Sequence, residues 1–171
     1  MPLDAERPRG IPGANCTTRL GNVTTTERVP AVEGWFRTSE PYTVIGAKCM
    51  ECGTYVFPPR SGACPNPTCD SMELAPVPLS RKGKVWSYTE NHYAPPPPYV
   101  AADPFEPYAL AAVELADEGL VILGQVAKGV MGADLEIGMD VEVDLEVLYR
   151  DGDGVDHWIW TWAPSAPEAS A

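Results

Sequence analysis

Four cysteines in this chain have a spacing that suits metal binding. Cys49, Cys52, Cys64 and Cys69 lie within twenty-one residues in the pattern C-x2-C-x11-C-x4-C. Each close pair is predicted to lie on a tight turn, and two such turns together offer four thiolates to one tetrahedral ion, the environment that zinc prefers. Gly53 follows the first pair, where the backbone must turn back without a Cβ clash. The pattern predicts one structural zinc ion, because four thiolates leave no coordination position for a catalytic water.

Two other uses of these cysteines compete with zinc binding. Tetrahedral sulfur also accepts iron, as in rubredoxin, so iron is the alternative metal. Disulfides are disfavoured, because the first residues lack the apolar stretch of a signal peptide and reducing compartments keep thiols free. No run of about 18 apolar residues is present, so no membrane insertion is expected. These features predict a cytoplasmic chain, and the role of Cys16, which has no partner at a useful spacing, stays open.

The charge of the chain is distributed unevenly. Residues 1–84 hold ten Lys or Arg and eight Asp or Glu, a balance of +2, whereas the remainder holds two basic and sixteen acidic residues, a balance of −14. The sum is the net charge of −12. Nucleic-acid binding depends on the neutralisation of phosphates by Lys and Arg. The acidic half therefore disfavours nucleic acid as a partner, although a small anion could bind the basic residues near the cysteines.

The predicted fold is mainly β. Strands on either side of the metal-binding turns are expected to position them. Tyr42–Ala47 and Thr54–Phe57 read as strands that enter and leave the first turn, which is typical of a zinc ribbon. A short helix over Ala31–Glu40 is expected to dock Trp35 and Phe36 and to end at Pro41. The predicted organisation is a disordered tail (1–30), the helix and lead-in strand (31–46), the zinc ribbon (47–78), an OB-fold barrel (79–163) and a second disordered tail (164–171).

The barrel prediction rests on five segments with strand character. Residues 139–149 alternate apolar and acidic side chains, as a strand with one buried face does. A connection around Gly129–Gly138 lies between the third and fourth strands, which matches a small Greek-key barrel of the OB type. The five predicted strands are Lys84–Tyr93, Tyr108–Leu115, Leu120–Ala127, Met139–Tyr149 and Asp156–Trp162.

Residues outside the cysteine quartet give little sign of catalysis. His92 and His157 have no Ser, Cys or Asp partner at a recognisable spacing, and no nucleophile elbow or phosphate-binding glycine loop is present. Trp158, Trp160 and Trp162 alternate on the last strand, where they either cover the core or form an exposed stripe for a partner. The Pro-rich segment 94–108 is a long loop of the kind that is often functional.

Several motifs together resemble one protein family. Cys49-x2-Cys52-Gly53, Phe57-Pro58-Pro59-Arg60, Gly83-Lys84-Val85-Trp86-Ser87-Tyr88-Thr89 and Pro104-Phe105-x-Pro107-Tyr108 resemble the "domain of unknown function thirty-five" family over residues 31–163. The resemblance implies a short N-terminal helix, a rubredoxin-like zinc ribbon and an OB-fold. Family members more often have x2 in the second cysteine pair, where this chain has x4.

The same resemblance implies a function. Better-understood members are non-catalytic subunits of thiolase-like or lipid-transfer-type enzymes, and they help to bind the acyl-CoA substrate. This chain is accordingly expected to be such a subunit in acyl-CoA, lipid or aromatic-compound metabolism, without activity of its own, with Arg60, Lys82 and Lys84 contacting the CoA phosphates. The alternatives are a nucleic-acid-binding ribbon and barrel, and a rubredoxin-like electron carrier.

Overall fold

The computed structural model describes residues 28–96 and 99–165, and the fold is mainly β. The described residues form nine strands: β1 (Val29–Pro30), β2 (Ile45–Cys49), β3 (Tyr55–Val56), β4 (Leu74–Pro78), β5 (Lys82–Asn91), β6 (Tyr108–Leu115), β7 (Leu120–Val126), β8 (Asp140–Arg150) and β9 (Asp156–Pro164). A single 3-10 turn, Gly132–Asp134, lies between β7 and β8. The described part of the chain contains no helix with the length and apolarity that crossing a bilayer requires.

Strands β5 to β9 close into a five-stranded barrel, as the sequence predicts. The neighbour order is β5–β6–β7–β9–β8, and β8 returns to pair with β5. All these pairings are antiparallel except the one between β7 and β9, which is parallel. This closure and order make the barrel an OB-fold, with each predicted strand within two residues of its observed ends.

The barrel core follows the alternation of its strands. In β6, Ala109, Ala111, Val113 and Leu115 are buried, and the residues between them face outward. In β8, Val141, Val143 and Leu145 are buried, so the acidic residues between them form the solvent side, as predicted. The bulky centre of the core is Trp162, which is fully buried.

The ribbon is a separate three-stranded sheet in the order β3–β2–β4, and β4 was missed by the sequence analysis. Pro76 and Pro78 both lie in β4, and proline argues against a strand because it lacks an N–H donor. They are tolerated because β4 is an edge strand that pairs only with β2. Its far edge is correspondingly poor in donors, which disfavours pairing with another chain.

The predicted helix over Ala31–Glu40 is wrong, because this segment forms turns and bends. Gly34 adopts a φ of +76°, which no right-handed helix accommodates. Phe36 instead pairs with Val44 in an antiparallel bridge, and the N–H of Ile45 donates to the carbonyl of Trp35. The two aromatic residues do dock on the core as expected, since Phe36 is buried and Trp35 packs against the same cluster.

The two tail predictions fall largely outside the described residues. Residues 1–27 and 166–171 are not described, so disorder there stays a prediction. At the inner border of the first tail, Val29–Pro30 forms β1 and pairs in parallel with His157 and Trp158 of β9. Pro164, the first residue of the second predicted tail, is the last residue of β9.

Candidate metal centre

The fold brings the four predicted cysteines together. Their Sγ atoms all lie within 4.8 Å of one another. The Sγ atoms of Cys49 and Cys69 are 3.8 Å apart, and those of Cys52 and Cys64 are 3.5 Å apart. A tetrahedral site with metal–sulfur bonds of about 2.3 Å requires sulfur–sulfur separations of about 3.8 Å. The quartet therefore fits a tetrathiolate metal site.

The first turn of the site leads out of β2. The N–H of Gly53 donates to the carbonyl of Cys49 (3.0 Å), and the N–H of Cys49 donates to the carbonyl of Thr54 (2.9 Å). Gly53 has a φ of +77°, which a residue with a Cβ adopts only at a cost. This is the role that the sequence analysis assigned to Gly53, and it is confirmed.

The second turn accommodates its two additional residues through a hydrogen-bonded loop. The N–H of Cys69 donates to the carbonyl of Asn66 (3.0 Å), while Asn66 Oδ1 accepts from the N–H and the hydroxyl of Thr68. The N–H of Cys64 donates to the carbonyl of Ser71 (2.8 Å), which closes the base of the turn. The longer spacing therefore lies in a local side-chain turn of Asn66, and Cys64 and Cys69 still reach the cluster.

The surroundings of the four thiols shift their pKa values in opposite directions. Hydrogen bonds from the Thr54 hydroxyl, 3.1 Å from the sulfur, and from its backbone N–H lower the pKa of Cys52 to about 6. Burial raises the pKa of Cys64. The backbone N–H of Ser71 lowers the pKa of Cys69, but burial and the neighbouring thiols outweigh it and raise that pKa to about 12. Four thiols this close cannot all ionise unless a cation lies between them.

A metal bound at this site can stabilise the fold but cannot bind a substrate. All four ligand positions of a tetrahedron are supplied by the chain, so a bound metal has no open position for substrate or water. Cys49 is buried, whereas Cys52 is exposed at the tip of the ribbon. The site therefore holds two turns together in a module in which Ala47 and Cys49 are the only described apolar residues that are fully buried.

An aromatic cluster connects the ribbon to the barrel. Trp35 packs against Phe57 at 5.4 Å and against Trp160 at 6.1 Å, measured between ring centroids. Trp160 is 6% exposed and also contacts Phe36 at 5.7 Å. Trp158 is partly buried beneath Arg28, whose guanidinium lies 4.9 Å from its ring centroid. The tryptophans of β9 therefore cover the core and meet the ribbon, rather than forming an exposed stripe.

Comparisons with known proteins agree with this architecture. Residues 41–75 match the family model of the ChsH2 rubredoxin-like zinc ribbon domain, and residues 76–146 match that of the ChsH2 C-terminal OB-fold domain. A DUF35 domain-containing scaffold protein of Methanocaldococcus jannaschii is 38% identical over 126 residues, which cover 71% of this chain and 81% of that protein. This chain belongs to the DUF35 scaffold family. The resemblance in the sequence analysis is thereby confirmed.

Two further DUF35 relatives carry more specific names. The benzoylsuccinyl-CoA thiolase subunit BbsA of Thauera aromatica is 36% identical over 117 residues, covering 67% of this chain and 71% of that protein. Among solved structures, the Ltp2-ChsH2(DUF35) aldolase aligns with a TM-score of 0.54 and 28% identity, covering 71% of this chain and 84% of that chain. The DUF35 relatives thus include components of a thiolase and of an aldolase.

Two of the three predicted phosphate-binding residues lie together in this DUF35 chain. Lys82 and Lys84 line one shallow surface groove, and Arg60 is not among the residues that line it. The groove also contains Glu114, Asp117 and Asp140, three carboxylates against two ammonium groups. Lys84 Nζ lies 2.8 Å from Asp140 Oδ1, and both side chains are exposed. This neighbourhood is mixed in charge rather than basic.

Both histidines have carboxylate partners that the sequence analysis missed. His157 Nε2 lies 2.9 Å from Asp151 Oδ2, and its ring stacks on Tyr149 at 4.6 Å. His92 Nε2 lies 2.7 Å from Glu90 Oε2, while Glu90 Oε1 accepts from the N–H of Gly132. These pairs join neighbouring strand ends and loops, so they are interpreted as structural.

The sequence analysis also missed an exposed apolar surface on the barrel wall. We call it the outer apolar face, and it consists of Trp86, Leu110, Ala112, Val121 and Leu123. Trp86 lies at a bulge in β5 and is 60% exposed, and Leu123 of β7 is 61% exposed. Ala112 connects the two sides, since it pairs with Ser87 on β5 and with Leu123 on β7. The signal was present in four apolar outward positions of β6 and β7, namely Leu110, Ala112, Val121 and Leu123, which are bordered on the same side by the polar residues Glu114 and Gln125.

Proposed function

We propose that this chain is a non-catalytic, zinc-binding scaffold subunit that binds a thiolase-like enzyme, a thiolase or an aldolase, and helps to hold its acyl-CoA substrate. Membership of the DUF35 family and the names of two relatives support the class of partner. The match to a zinc ribbon family model supports zinc as the metal, and the donor set of four thiolates supports a closed structural site.

The observation that carries this proposal is the outer apolar face. Large exposed apolar residues are usually scattered singly on a protein surface, whereas contiguous patches mark interaction sites. Here Trp86 of β5 lies on one side of Ala112 in β6, and Leu123 and Val121 of β7, the latter 48% exposed, lie on the other side. Tryptophan is also enriched at the centres of interfaces. The patch lies on the rigid wall of a closed barrel, so a partner could bind it without reordering the chain.

The described residues offer no competing catalytic arrangement. The histidine–carboxylate pairs lie at strand ends and loops, and the metal site is closed. The thiolase-like partner would supply the catalytic groups, and this chain would supply surface and position. The carbon–carbon bond chemistry of the complex is that of the partner.

The proposal is tested by isolating the complex. Affinity-tagged full-length chain is expected to retain a thiolase-like enzyme of its host, identified by mass spectrometry, and the purified pair is expected to turn over an acyl-CoA that this chain alone does not. Trp86→Ser and Leu123→Ser should each weaken retention about tenfold or more, as loss of an interface hot spot does.

A matched control variant is Tyr93→Ser, which removes an aromatic side chain that is 72% exposed but lies outside the face. This variant should retain the partner normally. The proposal is wrong if no thiolase-like enzyme is retained by the native chain, or if the isolated chain performs the reaction without a partner.

A further inference from the structure

One groove of the barrel is not used by the metal site or by the outer apolar face. We call it the loop-end groove, and it lies where residues 99–107, which lead into β6, lie against β6, β7 and the segment after β7. OB-folds commonly bind ligands with this first loop and the adjacent strands. The groove thus has the location of a binding site in this architecture.

The size and lining of the groove suit a small apolar group. Its volume is about 180 Å³. An apolar cavity of about 150 Å³ is large enough to bind benzene. The main lining side chains are apolar or aromatic, and none of them is fully exposed: Tyr99, Phe105, Val126, Val130, Met131 and Leu148.

Both walls of the groove are held in place by contacts. On one side, Tyr108 stacks on Tyr99 at 6.0 Å and meets Phe105 edge-on at 6.3 Å, and its hydroxyl accepts from Asn91 Nδ2 at 3.0 Å. Such contacts fix the loop that carries the aromatic rings. Because its walls are already fixed, the groove loses little conformational entropy when a ligand binds.

On the other side, the segment after β7 is tied to the strands β8 and β5. Lys128 Nζ donates to the carbonyl of Val147 (2.7 Å), and the backbone N–H of Lys128 donates to the Glu146 carboxylate. Further along, the N–H of Gly132 donates to Glu90 (2.7 Å). The wall that contains Val130 and Met131 is therefore anchored on both sides.

The polar groups of the groove are few and mostly uncharged. The polar neighbours of the Tyr99 hydroxyl are the side chains of Tyr108 and Gln125. Burial raises the pKa of Tyr99, and Tyr108 adds to the rise, so the hydroxyl stays protonated at neutral pH. The lining contains one Lys and one Glu, so the groove carries no net charge and is a poor site for phosphates.

We propose that the loop-end groove receives the apolar acyl group of a thioester, with the size of one aromatic ring or a short branched chain. The polar end of that group would face Tyr99 and Gln125, and the rest of the thioester would stay outside. The identity of the ligand as a thioester rests on the proposed function, whereas the fit of a small apolar group rests on the groove itself.

The test uses a short uncharged thioester, so that CoA phosphates play no part. S-benzoyl-N-acetylcysteamine is titrated into the full-length chain, and the methyl resonances of Val126, Val130, Met131 and Leu148 are followed by NMR. These resonances are expected to shift saturably, and N-acetylcysteamine alone should leave them unchanged. A Val130→Phe substitution fills the groove and should weaken binding about tenfold or more, the scale set by steric mismatch in apolar pockets.

Two further variants keep the result interpretable. Ala102→Trp fills the groove from an exposed loop position, and it should weaken binding even if Val130→Phe lowers stability. Leu123→Ser alters the outer apolar face and should leave the benzoyl affinity unchanged. The inference is overturned if the benzoyl thioester shifts none of these methyls, or if both groove-filling variants bind it as well as the native chain.

Failure of this inference can be told apart from failure of the proposed function. Loss of benzoyl binding with an intact thiolase complex would overturn only the groove assignment. Benzoyl binding by a chain that retains no thiolase-like partner would overturn the scaffold role and leave a small-molecule site.

Discussion

Phe57, which directly follows β3 of the zinc ribbon, packs edge-on against Trp160 of the last barrel strand. Their ring centroids are 5.9 Å apart and their planes meet at 81°, the edge-to-face arrangement that aromatic rings favour. Trp35 contacts both rings. The ribbon and the barrel therefore share one aromatic cluster, and the stability of the barrel depends on a correctly folded ribbon.

Phe57→Ala should destabilise the chain and loosen the ribbon from the barrel. The expected loss in the free energy of unfolding is about 2 kcal/mol, below the range for a fully buried Phe because Phe57 is only partly buried. Urea denaturation followed by tryptophan fluorescence measures it. Trp86→Ala, which removes a 60% exposed ring, is the control and should change stability little. Equal losses for both variants would contradict a stabilising contact between Phe57 and Trp160.

Metal analysis of purified protein should find about one zinc per chain in a colourless solution, since a tetrathiolate iron site would be red. Removing the metal with a chelator should unfold the ribbon, because structural zinc supplies much of the folding free energy of such modules. The aromatic junction should transmit this loss as a change in tryptophan fluorescence. Cys64→Ser should lower the zinc affinity and the melting temperature, whereas Cys16→Ser should leave both unchanged. An unchanged zinc content in Cys64→Ser would show that the four cysteines are not the zinc ligands.

Gly124→Ala tests the packing of the two innermost tryptophans. A Cβ at position 124 would lie 2.9 Å from Nε1 of both Trp160 and Trp162, closer than real Cβ contacts allow. We expect a loss of about 1–3 kcal/mol in unfolding free energy, typical of overpacking in a core. Gly152→Ala is the matched control, since a Cβ there meets nothing within 4 Å. If the two variants denature at the same urea concentration, the close packing at Gly124 is wrong.

Acid should destabilise the β8–β9 turn through Asp151. The hydrogen bond with His157, together with backbone N–H donors including that of Val155, holds the pKa of Asp151 below its ordinary value. Because the folded pKa is the lower one, the stabilisation is present above the unfolded pKa and is lost as pH falls through the folded pKa, below about pH 4. Asp151→Asn should therefore flatten the acid side of a stability–pH profile.

The control for this pH effect is Asp153→Asn, which removes an exposed carboxylate from the same turn. Its profile should keep the native slope on the acid side. An unaltered slope in Asp151→Asn would show that other groups, such as Asp156 paired with Arg150 or Glu90 paired with His92, account for the acid sensitivity.

Charge reversal of Lys82 and Lys84 should raise the KM of the assembled complex for acyl-CoA, if these residues contact the CoA phosphates. Lys84 is paired with Asp140 at 2.8 Å, so a phosphate must compete with that carboxylate. Exposed pairs of this kind contribute little to stability. Asp140→Asn should therefore lower the KM without unfolding the chain.

Steady-state kinetics with purified complex measures both KM effects. Arg37→Glu reverses an exposed charge elsewhere and should leave the KM unchanged. If the lysine reversals also leave it unchanged while the complex stays assembled, Lys82 and Lys84 do not belong to the substrate site.

The sequence by itself determined the features that depend on short-range pattern. The cysteine spacing predicted the quartet, and Gly53 predicted the first turn, because a turn is specified by the residues within it. The alternation in residues 139–149 predicted a strand with one buried face, since the side-chain period of a strand is a local property. Residues 31–40 were less informative, because contacts with Val44 and Ile45 outweighed their helical pattern.

Only the tertiary structure decided which surfaces are covered. The alternation of Trp158, Trp160 and Trp162 is compatible with a buried stripe and with an exposed stripe, and the choice depended on Phe57 of the ribbon and Trp35 of the preceding segment packing against Trp160. In the same way, Trp86 and Leu123 are 37 positions apart in the chain and form one face only because β5, β6 and β7 pair in this register. Burial is set by which distant segments pack together, and local periodicity carries no information about that choice.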